Sequence, residues 1–356
     1  MSKNHPIISA IDRAFSFNKA RKKIFSALIL AVIKTRDVNL MQLAGLLPSK
    51  ASHESQYRKL QRFFEKWDFC ACELASFILS RIPKPEQGYK LNIDRTNWQY
   101  GKKHINVLTI GISLGKVSCP LIWKTLPKST KRGNSKSEHR ITLMNKLLKV
   151  LPAKDIHSIT MDREFNGNDW LAWLDKRGIG FVLRLRRNTL VDGKSAGNYR
   201  ATRKAKTYSK NKVFERELYF GCKSIKKGRE SKLYIVSNKF PPHEALELYR
   251  SRWGIEVFFG HLKKKGFNFE NTRMAEKKKI DKLLAVLAFA FLITVGWGLI
   301  MREKTRLNAH QKRKSIFRLG LDQLQKIFAE PNDYKDSIDS FKRWVSGDVS
   351  PSNFVV

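Results

Sequence analysis

From Leu283 to Met301 the chain reads LLAVLAFAFLITVGWGLIM, nineteen residues without a charge. A run of that length meets the usual requirement for crossing a bilayer. In a water-soluble chain it has to be covered on every side. Both flanks are basic, with Lys277, Lys278, Lys279 and Lys282 before it and Arg302 and Lys304 after it, so they set no orientation across a membrane. Several small residues, with Gly296 and Gly298 among them, suit close packing inside protein. The expected state is a buried helix that covers a core. A membrane anchor is the competing reading, and it fails for a protein that fractionates as soluble without detergent.

The 356 residues suffice for one large core and one or two smaller domains. Lys and Arg total 70 against 31 Asp and Glu, a formal net charge of +39. Such a surplus attracts polyanions, and counterion release makes nucleic acid the natural partner. A basic surface without a partner is disfavoured, because that much like charge opposes the compact state. Cys70, Cys72, Cys119 and Cys222 form no CxxC pair and have no His at zinc-finger spacing. They read as reduced thiols in a cytoplasmic protein, without structural zinc. The N-terminus lacks the form of a signal peptide.

Residues 1–80 read as a basic helical domain. Leu40, Leu43, Leu46 and Leu47 form a short apolar helix that Pro48, Ser49 and Lys50 break. A second helix turns Tyr57, Leu60, Phe63 and Phe64 inward and Arg58, Lys59 and Arg62 outward. A DNA-reading helix-turn-helix and a plain helical hairpin explain this pattern equally well. Pro83, Pro85 and Gly88 mark a linker within 76–90. Strand patterning follows over Tyr89–Asp94, Ile105–Leu114 and Val117–Leu126. Next come a helix over Ser137–Leu151, a strand over Ser158–Met161, a helix capped by Asn168 and stopped by Gly178, and a strand over Phe181–Arg186. The order is β-β-β-α-β-α-β. Residues 188–240 read as a small all-β insertion with strands at Val213–Phe220 and Lys232–Val236. Pro241 and Pro242 then start a helix expected to reach Lys265, with Gly266 as its cap. Residues 306–356 read as a helical tail.

The expected helix after Pro242 carries Tyr249, Arg252, Glu256 and Lys263. At about 100° per residue these four share one face about 60° wide. A carboxylate among cations on one stripe suits a metal ion beside gripped phosphates, although i, i+4 Arg–Glu pairing on a solvated face is common. Two further acids alter the balance. Asp94 is expected to close the first strand and Asp162 the fourth, which this strand order makes neighbours. Asp94, Asp162 and Glu256 together would form an all-oxygen site suited to Mg²⁺. Glu164, two residues past Asp162, is a rival ligand, because an extended segment puts it on the same side. Arg95 and Arg163 each follow an aspartate directly and read as DNA contacts or local ion pairs. His104 and His157 read as ordinary polar residues.

The string Y-x2-R-x3-E-x6-K at Tyr249, Arg252, Glu256 and Lys263 resembles the signature of DDE transposases of bacterial insertion sequences, in particular the insertion-sequence-four family. NIDRTNW at 92–98 and MDREF at 161–165 are similar to that family's two aspartate blocks. The resemblance spans roughly residues 90–300. It implies an α/β, RNase H-like catalytic domain over 88–187 and 241–305, interrupted by the β insertion at 188–240. Asp94, Asp162 and Glu256 would be catalytic metal ligands for two Mg²⁺ ions, with Mn²⁺ as a substitute. Tyr249, Arg252 and Lys263 would contact DNA phosphates of the element's ends. Partners would be double-stranded DNA and a second copy of the chain in a synaptic homodimer, with no membrane. Family members flip a base onto an aromatic residue, for which Trp123, beside the basic stretch Lys124–Arg140, and Trp253 are candidates. Both also suit a core. The compact insertion and short tail leave open how two ends are held together, since the family's dimerisation region often lies C-terminally. An endonuclease of the same fold and a non-catalytic DNA-binding derivative are the competing functions.

Overall fold

The computed structural model describes residues 15–127, 135–201, 210–227, 230–304, 307–329 and 335–348. Four helices come first: α1 (Lys19–Thr35), α2 (Leu40–Ala44), α3 (His53–Lys66) and α4 (Ala71–Ser80). Then follow β1 (Tyr89–Tyr100), β2 (Lys103–Leu114), β3 (Val117–Thr125), α5 (Ser137–Leu147), β4 (Ile156–Met161), α6 (Asn168–Lys176) and β5 (Gly180–Arg184). A short pair, β6 (Leu190–Val191) and β7 (Lys194–Ser195), precedes β8 (Lys210–Val213), β9 (Arg216–Lys227) and β10 (Glu230–Ser237). Helices α7 (Pro242–Ser251), α8 (Trp253–Leu262), α9 (Lys277–Lys304), α10 (Ala309–Arg313), α11 (Ile316–Ala329) and α12 (Lys335–Ser346) complete the chain.

The molecule divides into two compact units. Residues 1–83, 98–105 and 258–356 make the first, and 84–97 with 106–257 make the second. Compactness thus groups residues 258–304 with the N-terminal helices, whereas the sequence assigns them to the catalytic segment.

In the first unit α9 is the axis. Its apolar stretch is long enough to cross a membrane by length and composition, and it is wholly buried inside the protein. Helices α1, α3, α4, α11 and α12 all pack on it. Gly296 faces the Trp344 ring of α12, and Gly298 faces the main chain at Ile316. Any side chain at either glycine would occupy space those groups fill. Phe289 of α9 stacks on Phe77 of α4 at 4.9 Å and meets Phe25 of α1 edge-on at 5.7 Å. The Lys282 ammonium donates to the carbonyls of Phe64 and Glu65, which closes the C-terminus of α3. On α3 Leu60, Phe63 and Phe64 are buried and Arg58, Lys59 and Arg62 are exposed. The linker expected over 76–90 begins later, because α4 runs to Ser80.

The second unit is built on an eight-stranded sheet of order β3-β2-β1-β4-β5-β10-β9-β8. Strand β4 pairs parallel with both β1 and β5, and β10 pairs antiparallel with β5. The sheet is therefore mixed, and the fold is mixed α/β. The residues expected to form a separate β insertion instead extend this sheet through β10, β9 and β8. A tight turn at Phe214 and Glu215, both at positive φ, splits the single strand expected over Val213–Phe220. Gly167, at φ 152°, is the residue that precedes α6, so Asn168 is its first residue and not its cap. Residues Leu91, Asn92 and Ile93 of β1 are buried in succession, as in a central strand covered on both faces. Helix α7 lies across β4, β5, β9 and β10. Pro242 opens it where a missing N–H costs nothing. Its face of Ala245, Leu246, Leu248 and Tyr249 joins Val182, Ile235 and Phe240 in one core cluster. Each large apolar side chain buried there stabilises by about 1.5–3 kcal/mol.

Candidate active site

Sheet register brings the two aspartates together. Ile93 of β1 lies opposite Met161 of β4 in parallel pairing, so Asp94 and Asp162 each come one residue later on adjacent strands. Asp162 ends its strand as expected, but Asp94 does not, because β1 runs on to Tyr100. Pairing with β4 stops at Ile93, one residue before Asp94.

Helices α7 and α8 supply the third carboxylate. The expected single helix is interrupted at Arg252. The Arg252 N–H donates to the Tyr249 carbonyl and the Ile255 N–H to the Arg252 carbonyl, both at 3.1 Å. These are bonds over three residues, which tighten one turn. Arg252 itself stays in the right-handed helical region, so Arg252 and Glu256 still share a side. Gly254 allows α8 to start against β3. A Cβ there would lie 2.6 Å from the Ser118 hydroxyl and 2.8 Å from the Val117 carbonyl carbon.

Arg252 is the hub. Its side chain is 8% exposed and donates to Asp94 Oδ2 at 2.9 Å and to Glu256 Oε1. The Tyr249 hydroxyl donates to Asp162 Oδ1 at 3.3 Å. Arg184, at the end of β5, lies 3.6 Å from that same oxygen. The sequence reading missed Arg184. Nothing in the sequence singled it out, because that strand was expected to run on to Arg186 and ends at Arg184 only in the structure. Burial pushes the Asp94 carboxyl up to about 7; Arg252 opposes this, while the charges of Asp162 and Glu164 add to it. Burial pushes the Tyr249 hydroxyl up to about 12, with Asp162 adding to the rise. Burial works against the Arg252 charge, yet Tyr249, Asp94, Asp162 and Glu256 outweigh it and hold the guanidinium above the ordinary arginine range.

Lys263 lies past the end of α8, in the first unit, with its ammonium 3.1 Å from Glu270 Oε1. The four signature residues are therefore not one uninterrupted helical stripe. Trp123 is buried in β3 and Trp253 is 57% exposed. Of the basic stretch Lys124–Arg140, residues 128–134 lie outside the described residues.

Asp94, Asp162 and Glu256 offer carboxylate oxygens, the type of hard donor a divalent cation takes, and added positive charge favours the ionised form of the buried Asp94. Among the described residues no three His, Cys, Asp or Glu side chains converge on one point. Arg252 bridges Asp94 and Glu256 and holds between them the charge a metal would supply.

Residues 125–293, just under half of the chain, match the family model of the transposase DDE domain. By that domain the protein is a DNA transposase enzyme of the DDE class. DDE transposase domains generally use divalent metal ions. The match includes Asp162, Tyr249, Arg252, Glu256 and Lys263, while Asp94 precedes it. No curated protein matches the chain. Among solved structures it is similar to a cryo-EM structure of a piggyBac transposase synaptic complex with hairpin DNA. The identity is 12% and the TM-score 0.38, over 96% of this chain and 83% of that one.

Proposed function

We propose that this chain is the transposase of a bacterial insertion sequence of the insertion-sequence-four family, acting in the cytoplasm on the terminal inverted repeats of its element. The observation that carries the reading is the DDE-domain match, joined to a sheet register that sets Asp94 beside Asp162 and a helix turn that brings Glu256 to Asp94 through Arg252. The strand order β3-β2-β1-β4-β5 with parallel β1–β4 and β4–β5 pairing supports an RNase H-like catalytic core.

In this reading Asp94, Asp162 and Glu256 hold two Mg²⁺ ions, which when bound activate an attacking water or 3′-hydroxyl and stabilise the leaving oxygen. Arg252 and Tyr249 grip phosphates of the transposon end, and Lys263 contacts the same backbone. Arg184 adds a second guanidinium beside Asp162. Exposed Trp253 is favoured over buried Trp123 as the stacking platform for a flipped base. Residues 1–80 bind DNA through the exposed face of α3, and two copies of the chain hold paired ends in a synaptic homodimer.

The test uses duplexes that carry the inverted repeats flanking the gene. With Mg²⁺ the protein releases a 3′-hydroxyl end and joins it to target DNA, and Asp94→Ala abolishes both steps while leaving binding intact. Hydrolysis without joined strands would instead mark an endonuclease of the same fold. Wild-type cleavage by the Asp94→Ala variant would remove the assigned role.

A further inference from the structure

The two aspartate blocks are tied together by a pair of side chains that the proposed chemistry does not use. Arg95 directly follows Asp94, and its N–H donates to Asp94 Oδ1 at 2.7 Å. Its guanidinium reaches across to the second block. Nε–H donates to Glu164 Oε1 at 3.2 Å and Nη2–H to Glu164 Oε2 at 2.9 Å. Nη1–H donates to Asn106 Oδ1 of β2 at 2.5 Å. The fork is planar, bidentate and shielded, with the two side chains 13% and 19% exposed. A pair of this geometry restrains orientation as well as distance.

The Glu164 end is anchored in its turn. Glu164 sits in a single helical turn closed by the Phe165 N–H on the Asp162 carbonyl at 3.0 Å. Phe165 is fully buried, with the Arg140 guanidinium 5.1 Å above its ring. Arg140 is 2% exposed and donates to the carbonyls of Glu164 and Asn166, each at 2.9 Å. It also donates to the Ser135 carbonyl at 2.5 Å and the Ser135 hydroxyl at 2.9 Å. The segment behind Asp162 is thus gripped through its main chain on one side and through Glu164 on the other.

We propose that Arg95 and Glu164 are a positioning pair that ties the main chain behind Asp94 to the main chain behind Asp162 and sets the separation of the two aspartates. In this role the Glu164 carboxylate, held bidentately by the Arg95 fork, serves as an anchor and not as a metal ligand. This rests on the carboxylate reading above.

The probe is Mn²⁺ alone, titrated into the full-length protein, with free ion read by electron paramagnetic resonance and folding read by circular dichroism. Arg95→Gln and Glu164→Gln should each weaken Mn²⁺ binding about tenfold, as removing an outer partner of metal ligands does. Arg95→Lys keeps the charge and loses the fork, and it should weaken binding several-fold. The exchanged pair Arg95→Glu with Glu164→Arg should return affinity to within about threefold of wild type, the signature of a coupled pair. Weaker binding in Glu164→Gln beside tighter binding in Arg95→Gln would make Glu164 a ligand and overturn the proposal. Unchanged affinity in both, while Asp94→Ala abolishes binding, would overturn the pair and leave the carboxylate site standing. Mn²⁺ binding that survives Asp94→Ala would remove the carboxylate reading and the pair with it. Where the glutamine variants do not fold, Arg95→Lys decides, and wild-type affinity there overturns the proposal.

Discussion

At the residue scale, Arg252 keeps two carboxylates from facing each other bare. Cutting it to Ala leaves the buried Asp94 opposite Glu256 without a cation. Stripping one partner from a buried ion pair costs about 3 kcal/mol. The Arg252→Ala variant should lose stability of that order in urea unfolding, and Asp94→Asn in the same chain should recover part of it. Tyr249→Phe removes the hydroxyl that donates to Asp162 at 3.3 Å and also interacts with Arg252; its stability should change by about 1 kcal/mol, and the larger effect should fall on DNA cleavage. A second residue-scale effect belongs to His261. Its ring stacks on Phe317 at 4.0 Å, and burial, aided by Lys265, lowers its pKa to about 4. The folded protein therefore keeps the ring neutral at pH values where the unfolded chain takes up a proton. The resulting stability is complete above the unfolded value of about 6.5 and is lost as pH falls toward about 4. Between pH 7.5 and pH 5 the wild type should lose about 2 kcal/mol more than His261→Leu does, read as the difference between their unfolding free energies.

At the element scale, the α7–α8 junction determines where Glu256 points. Two constraints meet there: the three-residue hydrogen bonds around Arg252 and the close approach of Gly254 to β3. A methyl group at 254 would overlap the main chain of Val117 and the Ser118 hydroxyl. Overpacking of this kind costs about 1–3 kcal/mol. Gly254→Ala should unfold at correspondingly lower denaturant and should lose cleavage more than end binding, because α8 has to shift and carry Glu256 with it. The i, i+4 spacing of Arg252 and Glu256 was legible in the sequence, and the pair survives the break. The break was not legible, since Ser251, Arg252, Trp253 and Gly254 include no proline and fit an unbroken helical pattern. It arises from fitting α7 to the sheet and α8 to β3 at once. Strand order was legible because local patterning allowed few arrangements. The extension of the sheet by β10, β9 and β8 was not, because the antiparallel pairing of β10 with β5 joins residues about fifty positions apart.

At the scale of the whole molecule, charge and one apolar helix set behaviour in solution. With a net charge of +39, binding to random duplex should depend steeply on salt. For about 6–10 phosphate contacts the affinity should fall by roughly 10³–10⁵ between about 50 and 200 mM salt, a slope that titrations at several salt concentrations measure directly. A flat salt response would show that the surplus charge does not touch DNA. By itself the sequence determined the periodic elements, the apolar segment that had to be covered, the polyanion-seeking charge and the candidate acids, because each follows from local spacing or from sums over residues. Only the tertiary structure decided that Asp94 and Asp162 each follow the last paired rung of neighbouring parallel strands, that Arg252 bridges Asp94 and Glu256, that Arg184 approaches Asp162, and that Arg95 pairs with Glu164. The reason is range: apart from the i, i+4 pair of Arg252 and Glu256, those contacts join residues tens to more than a hundred positions apart, and their geometry exists only once the sheet has closed its register.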